Sequence, residues 1–267
     1  MSSATPSVLT KICATKRDEV AARRAKRSET ELRSQIGDLP ACRDFHAALA
    51  ERVAREEPAI IAEFKRASPS AGWIHRDADA AEVARRYEQG GAACMSVLTD
   101  VEYFRGSDAD LQAARGACSL PVIRKDFVVD TYQVHETRAL GADAMLLIVA
   151  ALDDSQLADF SALGLELGLS VLVEVHDAAE MERALEVPGH LLGINNRDLH
   201  RFETRLETSE QLASRIPADR VGVCESGLNT RADIERMQAA GLHAFLIGEA
   251  LMRDGDPVAS LRTLRGL

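Results

Sequence analysis

The stretch AMLLIVAALDDSQLADFSALGLELGLSVLVEV, residues 144–175, decides the fold. Two short apolar runs, 144–149 and 170–175, flank an amphipathic pattern over 154–167 that predicts a helix. Gly168 follows that pattern at a position where glycine commonly ends a helix, because it tolerates a left-handed backbone. Apolar runs between polar turns suit strands that are buried on both faces. The stretch therefore predicts two parallel strands joined by a right-handed helical crossover.

The same alternation recurs along the rest of the chain. Six further apolar runs predict strands, at 58–64, 94–99, 121–126, 191–195, 220–225 and 244–248. Helical patterns separate several of them, at 80–89, 132–140, 178–185 and 231–240. Eight candidate strands favour a closed barrel over an open, doubly wound sheet. We therefore predict an α/β fold, a single (β/α)8 TIM barrel, which is a common solution for about 250 residues.

A segment without strand patterns precedes the first predicted strand, and it carries helical patterns at 8–26 and 29–36. We predict an N-terminal helical extension over 1–50 and a barrel catalytic domain over 51–267. The extension contains a basic stretch, formed by Arg23, Arg24, Lys26 and Arg27. This stretch favours a solvated surface helix over the alternative, a helix that closes one end of the barrel.

The composition limits the classes of partner. The formal net charge is −10, which argues against a nucleic-acid partner, because nucleic acids are bound by basic faces. No apolar run approaches the roughly 20 residues that span a bilayer, and the N-terminus lacks the apolar core of a signal peptide. We expect no membrane partner, a cytoplasmic location and a monomer or weak homodimer. The scattered cysteines lack CxxC spacing, which favours free thiols over disulfides or zinc: Cys13, Cys42, Cys94, Cys118 and Cys224.

Polar residues stand at the carboxyl ends of the predicted strands, where barrel enzymes place their active sites. Glu63 and Lys65 end the first strand, and their spacing of two points both side chains to one face. Polar residues also end the third, fifth, sixth and seventh strands: Lys125, Glu174, Asn195 and Glu225. Each alone would suit a structural ion pair or a buried polar group. Together at one barrel mouth they predict a site with acid, base and anion-binding groups.

Glycines after the last two predicted strands carry a second signal. SGL, residues 226–228, follows the seventh strand, and GEAL, residues 248–251, follows the eighth. Many barrels bind phosphate there, through backbone N–H groups and the N-terminus of a short extra helix. Ordinary turn glycines are the alternative, but the position favours a phosphate site.

Seven segments at the strand ends resemble the indole-3-glycerol-phosphate synthase family: IIAEFKRASPSAG (60–72), SVLTDVEYFRG (96–106), PVIRKDF (121–127), LVEVHD (172–177), GINNRDL (193–199), ESGL (225–228) and LIGEALMR (246–253). The resemblance extends from about Val8 to the C-terminus. It implies a carboxy-lyase of tryptophan biosynthesis whose partner is a small phosphorylated substrate. This enzyme would close an indole ring on 1-(2-carboxyphenylamino)-1-deoxyribulose 5-phosphate, with loss of carbon dioxide and water.

The resemblance also implies catalytic roles at the barrel mouth. Lys125 is the general acid that protonates the ribulose carbonyl oxygen as the aromatic carbon attacks. Glu174 is the general base that supports dehydration. Lys65 holds the substrate carboxylate and can donate a proton, and Glu63 orients Lys65.

The substrate-binding positions of the family fall on further residues of this sequence. Asn195 and Glu225 would hydrogen-bond the reacting ribulose segment, and Arg197 would order the site. The phosphate would be surrounded by Ser68, Ser226, Gly227, Gly248 and Glu249. The anthranilate ring would lie in an apolar slot formed by Phe104, Phe127 and Leu199. Since a carboxylate repels phosphate, we expect Glu249 to offer its backbone N–H and to turn its side chain outward.

We expect no metal and no cofactor, because the decarboxylation restores aromaticity and needs no electron sink. The sequence has no Walker loop, no GxGxxG and no metal-like histidine cluster. His75, His135 and His176 are therefore interpreted as surface or helix-cap residues. A lysine can act as an acid if burial and cationic neighbours lower its pKa, and Lys65 would be such a neighbour for Lys125.

Two other functions stay open. A sibling barrel, phosphoribosylanthranilate isomerase, would share the phosphate site but would need a reactive cysteine at the end of the first strand. This chain has Glu63 and Lys65 there instead. A catalytically inactive barrel that serves as a scaffold would have lost a lysine or glutamate from the mouth, and none is missing.

Overall fold

Eight parallel strands form a closed barrel in the computed structural model, which describes residues 8–198 and 203–267. The strands are β1 (Ala59–Phe64), β2 (Cys94–Leu98), β3 (Val122–Lys125), β4 (Ala144–Ile148), β5 (Ser170–Val175), β6 (Leu191–Asn195), β7 (Val221–Glu225) and β8 (Ala244–Ile247). Each pairs with the next along the chain, and β8 closes the barrel by pairing with β1. The predicted α/β TIM barrel is confirmed, and every predicted apolar run contains one of these strands.

Twelve α-helices surround the barrel in the described part of the chain: α1 (Val8–Lys26), α2 (Glu29–Gly37), α3 (Phe45–Val53), α4 (Ala80–Gln89), α5 (Asp108–Ala117), α6 (Thr131–Ala139), α7 (Asp154–Glu166), α8 (Ala178–Leu185), α9 (Glu207–Ala213), α10 (Arg231–Ala239), α11 (Glu249–Arg253) and α12 (Pro257–Arg265). The helices predicted from the sequence agree with these bounds to within one residue. The patterns did not place α3, α5, α9, α11, α12 or a short hairpin that pairs Ala67–Ser68 with Gly72–Trp73.

The strands are apolar on both faces because each face is buried against a different layer. Ile61 packs with the cluster inside the barrel, whereas Ile60 and Ala62 pack with the cluster between the sheet and the helices. Side chains in a strand alternate between faces, so residues two positions after an interior residue also point inward. The candidate site residues each follow an interior residue by two: Glu63 after Ile61, Lys125 after Ile123, Glu174 after Leu172 and Glu225 after Val223.

The two ends of the barrel are each covered by a helix from the N-terminal segment. Phe45 and Leu49 of α3 are fully buried in the interior cluster, and the Phe45 carbonyl accepts from Cys94 Sγ at the start of β2. Helix α1 lies at the opposite end, where Thr15 Oγ1 is 2.9 Å from the Tyr103 hydroxyl on the loop after β2. The favoured expectation of a solvated surface helix is wrong for α1, because it buries Leu9 and four other residues. Helix α1 instead matches the alternative expectation, a helix that closes one end of the barrel.

Some sequence-based expectations concern features beyond the barrel itself. Helix α3 runs across residue 50, where the sequence places the boundary between extension and barrel, and that division stays a prediction. All five cysteines lie in the described residues, and none of them is disulfide-bonded. Within residues 8–198 and 203–267, no helix combines the length and the apolar character that crossing a membrane requires.

Candidate active site

Three charged side chains meet at the centre of the barrel mouth. Lys125 Nζ lies 2.7 Å from Glu174 Oε2 and 3.0 Å from Glu225 Oε2. The three residues come from β3, β5 and β7, and strand alternation points each of them into the barrel. The side chains of both glutamates are 2% exposed. The structure therefore brings the predicted acid and the predicted base into direct contact, and we call these three residues the acid–base cluster.

The contacts within the acid–base cluster set its protonation. Burial alone would lower the pKa of Lys125, but Glu174, Glu225 and Glu63 outweigh burial and raise that pKa above its ordinary value. Burial opposes ionisation of Glu174, yet Lys125 and His176 hold its pKa well below the usual range. Burial raises the pKa of Glu225 against the attraction of Lys125, and the charge of Glu174 adds to the rise. Glu225 therefore keeps its proton at a pH at which Glu174 has lost its own.

The expected lowering of the Lys125 pKa is wrong. The expectation relied on Lys65 as a cationic neighbour, but the groups nearest to Lys125 Nζ are the carboxyl groups of Glu174 and Glu225. Lys65 is paired elsewhere, with its Nζ 2.7 Å from Glu63 Oε1. Opposite charges within a few ångströms favour the charged form of a lysine, so Lys125 is held as an ammonium ion.

The ion pair of Glu63 and Lys65 has its own supports. The Ser96 hydroxyl donates to Glu63 Oε2 at 3.5 Å. Gly248, at the end of β8, leaves room for the carboxylate, because a methyl group there would collide with Glu63 Oε1. Glu63 is thereby fixed, and it holds the ammonium of Lys65 at the edge of the mouth, where the side chain of Lys65 is 13% exposed.

Asn195 joins the acid–base cluster to the surrounding loops. Its Nδ2 donates to Glu174 Oε1 at 3.1 Å, and its Oδ1 accepts from the Ser226 hydroxyl at 2.8 Å. The same Oδ1 accepts from the backbone N–H of Arg197 at 3.0 Å. The guanidinium of Arg197 reaches Ser70 Oγ at 3.0 Å, on the loop after β1. The loops after β1, β6 and β7 are therefore connected through Asn195 to the Glu174 carboxylate.

One cavity brings together eight of the predicted polar and charged site residues: Glu63, Lys65, Lys125, Glu174, Asn195, Arg197, Glu225 and Ser226. Phe104 and Phe127 line the same cavity, with ring centroids 6.0 Å apart and ring planes inclined by 38°. Leu98, Leu146 and Ile148 extend this apolar wall. Both phenylalanines predicted for the ring slot therefore face the acid–base cluster, whereas Leu199 lies outside the described residues.

A second cavity adjoins the first, and Lys65, Arg197 and Ser226 are among the residues that line both, together with Glu63 and Leu246. Gly227, Gly248 and Glu249, which the sequence assigns to a phosphate site, also line this second cavity. Ser226 and Gly227 adopt left-handed backbone conformations, with φ of 67° and 84°. A left-handed φ is energetically unfavourable for a residue other than glycine, and such strain is found mostly at functional turns. The strained bend after β7 therefore supports a functional role for this turn. We call this space the phosphate cavity.

Two other residues predicted for the phosphate site differ in their placement. The Glu249 carboxylate pairs with Arg253 at 2.9 Å along the surface of α11, so its side chain is turned outward as expected. Ser68 is not among the residues that line the phosphate cavity. It is buried in the short hairpin after β1, where its hydroxyl oxygen accepts from the Ala71 N–H at 3.1 Å.

Gly193, in the middle of β6, makes room for the acid–base cluster and was not singled out from the sequence. A methyl group at this position would collide with Glu225 Oε1. The glycine stands two residues before Asn195, on the interior face, and β6 pairs with β7. A glycine inside a strand marks a close approach by another group, and this rule was the available signal.

Lys16 on α1 is a second residue that sequence reasoning missed. Its Nζ lies 3.0 Å from both Asp100 Oδ2 and Asp126 Oδ1, on the loops after β2 and β3. Asp100 also accepts the backbone N–H of Phe104 at 3.1 Å, and Asp126 directly follows Lys125. Burial would lower the pKa of Lys16, but Asp126 and Asp100 raise it. Lys16 therefore ties α1 to the two loops that carry the apolar wall.

The histidines do not share one environment. His75 is exposed, as expected. The surface or helix-cap interpretation is wrong for His135, which is 1% exposed on α6 and lies 3.2 Å from Glu29. It is also wrong for His176, whose ring lies between Glu174 and Glu180. Among the described residues, no cluster of three or more His, Cys, Asp or Glu side chains is arranged to hold a metal ion.

Comparisons with known proteins agree with this architecture. A family model described as indole-3-glycerol phosphate synthase matches residues 9–264. Tryptophan synthase subunit alpha from Legionella pneumophila str. Paris is a similar solved structure, with a TM-score of 0.59 and 14% identity over 83% of this chain and 97% of that one. A 3-hexulose-6-phosphate synthase has a TM-score of 0.60 and 16% identity over 78% of this chain and 98% of that one. At these identities the two structures support the fold alone.

Proposed function

Because the chain belongs to the indole-3-glycerol phosphate synthase family, we propose that it converts 1-(2-carboxyphenylamino)-1-deoxyribulose 5-phosphate to indole-3-glycerol phosphate, carbon dioxide and water. The family implies a lyase-type enzyme of tryptophan biosynthesis. One observation carries the specific reaction: Lys125 bridges Glu174 and Glu225 in the cavity that also contains Lys65. This arrangement surrounds one space with an acid, a base and a cation for a carboxylate.

The two adjoining cavities suggest how the substrate lies. Its phosphate occupies the phosphate cavity, where Arg197 supplies positive charge and the turn at Gly227 supplies backbone N–H groups. Its carboxyphenyl ring lies against Phe104 and Phe127, which offer the apolar surface that an aromatic ring requires. The ribulose chain between these two ends crosses the acid–base cluster.

Ring closure needs a proton donor at the ribulose carbonyl. As the ring carbon that bears the carboxylate attacks this carbonyl carbon, negative charge grows on the carbonyl oxygen. Lys125 is held as an ammonium ion, so it stabilises that charge and donates its proton to the oxygen. Lys65, fixed by Glu63, binds the carboxylate that leaves next and can donate a proton in turn.

The later steps restore the aromatic ring of the substrate and then form the second ring of the indole as an aromatic ring. Cleavage of the bond to the carboxylate releases carbon dioxide, and its electron pair returns to the carbocyclic ring. Loss of the new hydroxyl as water then requires removal of a proton from the adjacent carbon. Glu174, whose pKa is held low by Lys125 and His176 despite burial, is ionised and accepts this proton. Glu225, with its raised pKa, donates a hydrogen bond to the ribulose segment.

The proposal is tested by supplying the purified protein with the substrate and following the growth of indole fluorescence. We expect turnover without added metal or nucleotide. A well-folded protein that forms no indole product from this substrate would overturn the proposed reaction, while its place in the family would stand. Folding is checked independently by circular dichroism and a cooperative thermal transition.

A further inference from the structure

His176 lies directly after β5, and its ring is held between two carboxylates. Its Nδ1 is 3.0 Å from Glu180 Oε2, which also accepts the backbone N–H of His176 at 2.8 Å. Its Nε2 is 3.4 Å from Glu174 Oε1. The side chain is 12% exposed. Glu180 therefore holds the ring in one orientation, with the opposite nitrogen aimed at the carboxylate of the acid–base cluster.

The surroundings favour the imidazolium form of His176. Both ring nitrogens face acceptors, and only the protonated ring donates from both. Burial opposes this form, but Glu174 and Glu180 raise the pKa of His176 to about 10. The outer cavity beside the ring is also lined by charged residues, from the N-cap of α8 and from the segment after β6: Asp177, Asp198, Glu203 and Arg205. Leu9 of α1 and Ala150 after β4 close this cavity without adding charge.

We infer that His176 is a positioning residue, which fixes the Glu174 carboxylate and keeps it ionised throughout the reaction. The inference rests on the proposed function, because only there does Glu174 act as a base. The two oxygens of Glu174 have separate partners. Oε2 binds Lys125, whereas Oε1 receives Asn195 Nδ2 and faces His176. His176 thus acts on the oxygen that Lys125 does not bind.

The order of the chemical steps gives His176 its role. Lys125 donates its proton during ring closure and becomes a neutral amine, so the pair of Lys125 and Glu174 loses its cation. A buried carboxylate without a neighbouring cation has a raised pKa, so it would take up a proton before the dehydration step. The imidazolium of His176 remains beside Glu174 after Lys125 has given up its proton. Glu174 therefore stays ionised until the dehydration step requires a base.

The first test replaces the charge and keeps a hydrogen-bond donor. In His176→Gln we expect kcat at neutral pH to fall about tenfold, on the scale of one charge-assisted hydrogen bond, with KM changed less than about twofold. The acid limb of the kcat–pH profile should move to higher pH, because the pKa of Glu174 rises when its cation is removed. His190→Gln is the matched control, because His190 is exposed at the opposite end of the barrel, before β6.

The second test is a double-variant cycle with Glu180. Glu180→Gln alone should lower kcat less than His176→Gln and shift the acid limb in the same direction, because the ring loses its anchor. In the double variant, Glu180→Gln should add little to the effect of His176→Gln, since Glu180 acts through the ring. Full additivity of the two effects would overturn the inference.

A spectroscopic readout separates the inference from the proposed function. Nitrogen-15 NMR of the histidine rings in the wild-type protein should find His176 protonated at pH 8, because its pKa is raised to about 10. Absence of turnover by the folded wild type overturns the proposed function. Wild-type turnover with an unshifted acid limb in His176→Gln, or a His176 ring that is neutral at pH 8, overturns the inference alone.

Discussion

The acid–base cluster and the phosphate cavity lie side by side at one barrel mouth, but they are built in different ways. The acid–base cluster consists of ionisable side chains at strand ends, with both glutamates almost fully buried. The phosphate cavity is formed largely by backbone turns after β7 and β8, with Gly227 and Gly248 among its lining. Lys65, Arg197 and Ser226 are shared by the two cavities.

This difference teaches what each region contributes. Rigid strands hold reacting groups at fixed separations, and burial strengthens the charges that adjust their protonation. Turns with exposed N–H groups bind an anion without needing an ionisable group. We therefore expect changes in the acid–base cluster to act mainly on kcat, and changes to phosphate binding to act mainly on KM.

The largest effect is expected from Lys125→Ala. Removing the general acid should lower kcat by about a thousandfold, within the range that general acid–base groups contribute. Lys11→Ala is the matched control, because Lys11 is an exposed lysine on α1. Circular dichroism and thermal melting should show that both variants fold. A near-normal kcat in Lys125→Ala would refute its assignment as the acid.

The two glutamates of the acid–base cluster should differ when each is replaced by glutamine. Glu174→Gln removes the base and should lower kcat about a hundredfold, whereas Glu225→Gln should cost about tenfold or less. The reason is that glutamine resembles a protonated glutamate, and the raised pKa of Glu225 keeps it protonated.

The pH dependence of kcat tests the same difference between Glu174 and Glu225. As pH rises through the elevated pKa of Glu225, the wild-type carboxyl loses its proton, so the contribution of this donor to kcat falls. Glutamine does not titrate, so Glu225→Gln should lack this alkaline component. Equal losses in the two glutamine variants at neutral pH would contradict the assigned protonation.

Gly193→Ala tests whether the cluster needs its exact spacing. The added methyl group collides with Glu225 Oε1, so the carboxyl must move away from Lys125, and we expect kcat to fall about tenfold. Gly116→Ala is the control, because a methyl group on that exposed glycine of α5 meets no atom within 4 Å. Activity in Gly116→Ala should be unchanged. Equal kcat values in Gly193→Ala and Gly116→Ala would argue against the packing role of Gly193.

The smallest effect is expected in the phosphate cavity. Inorganic phosphate at millimolar concentration should raise KM and leave kcat unchanged, because it competes only for the anion site. Sodium chloride at matched ionic strength controls for screening. Purely non-competitive inhibition, or none, would count against phosphate binding beside Ser226 and Gly248.

Much of the barrel follows from the sequence, because buried parallel strands leave a strong local pattern. The apolar runs located all eight strands, and the polar residues at their ends included Glu63, Lys125, Glu174 and Glu225, which the barrel brings to its inner face. The shorter helices were harder, since α9 and α11 have only seven and five residues over which a period can show.

Pairing across the barrel was not predictable from local pattern. The spacing of two did place Glu63 and Lys65 on one face, where they pair. Nothing in the local sequence tells that Lys125 faces two glutamates from distant strands. The direction of the Lys125 pKa was therefore predicted wrongly. Lys16 did leave a signal, because it falls on the face of α1 that buries Ile12 and Val20. A lysine on an apolar face needs a buried carboxylate, which here is supplied by other segments of the chain.

The central claim is that the acid–base cluster catalyses ring closure, on which the release of carbon dioxide depends, and the dehydration that follows. Its most direct test is the stoichiometry of products formed from 1-(2-carboxyphenylamino)-1-deoxyribulose 5-phosphate by the wild type and by Lys125→Ala. We predict one carbon dioxide for each indole-3-glycerol phosphate with the wild type, and formation of both products about a thousandfold more slowly with the variant. Indole formation by Lys125→Ala at the wild-type rate, or no release of carbon dioxide by the folded wild type, would contradict the claim.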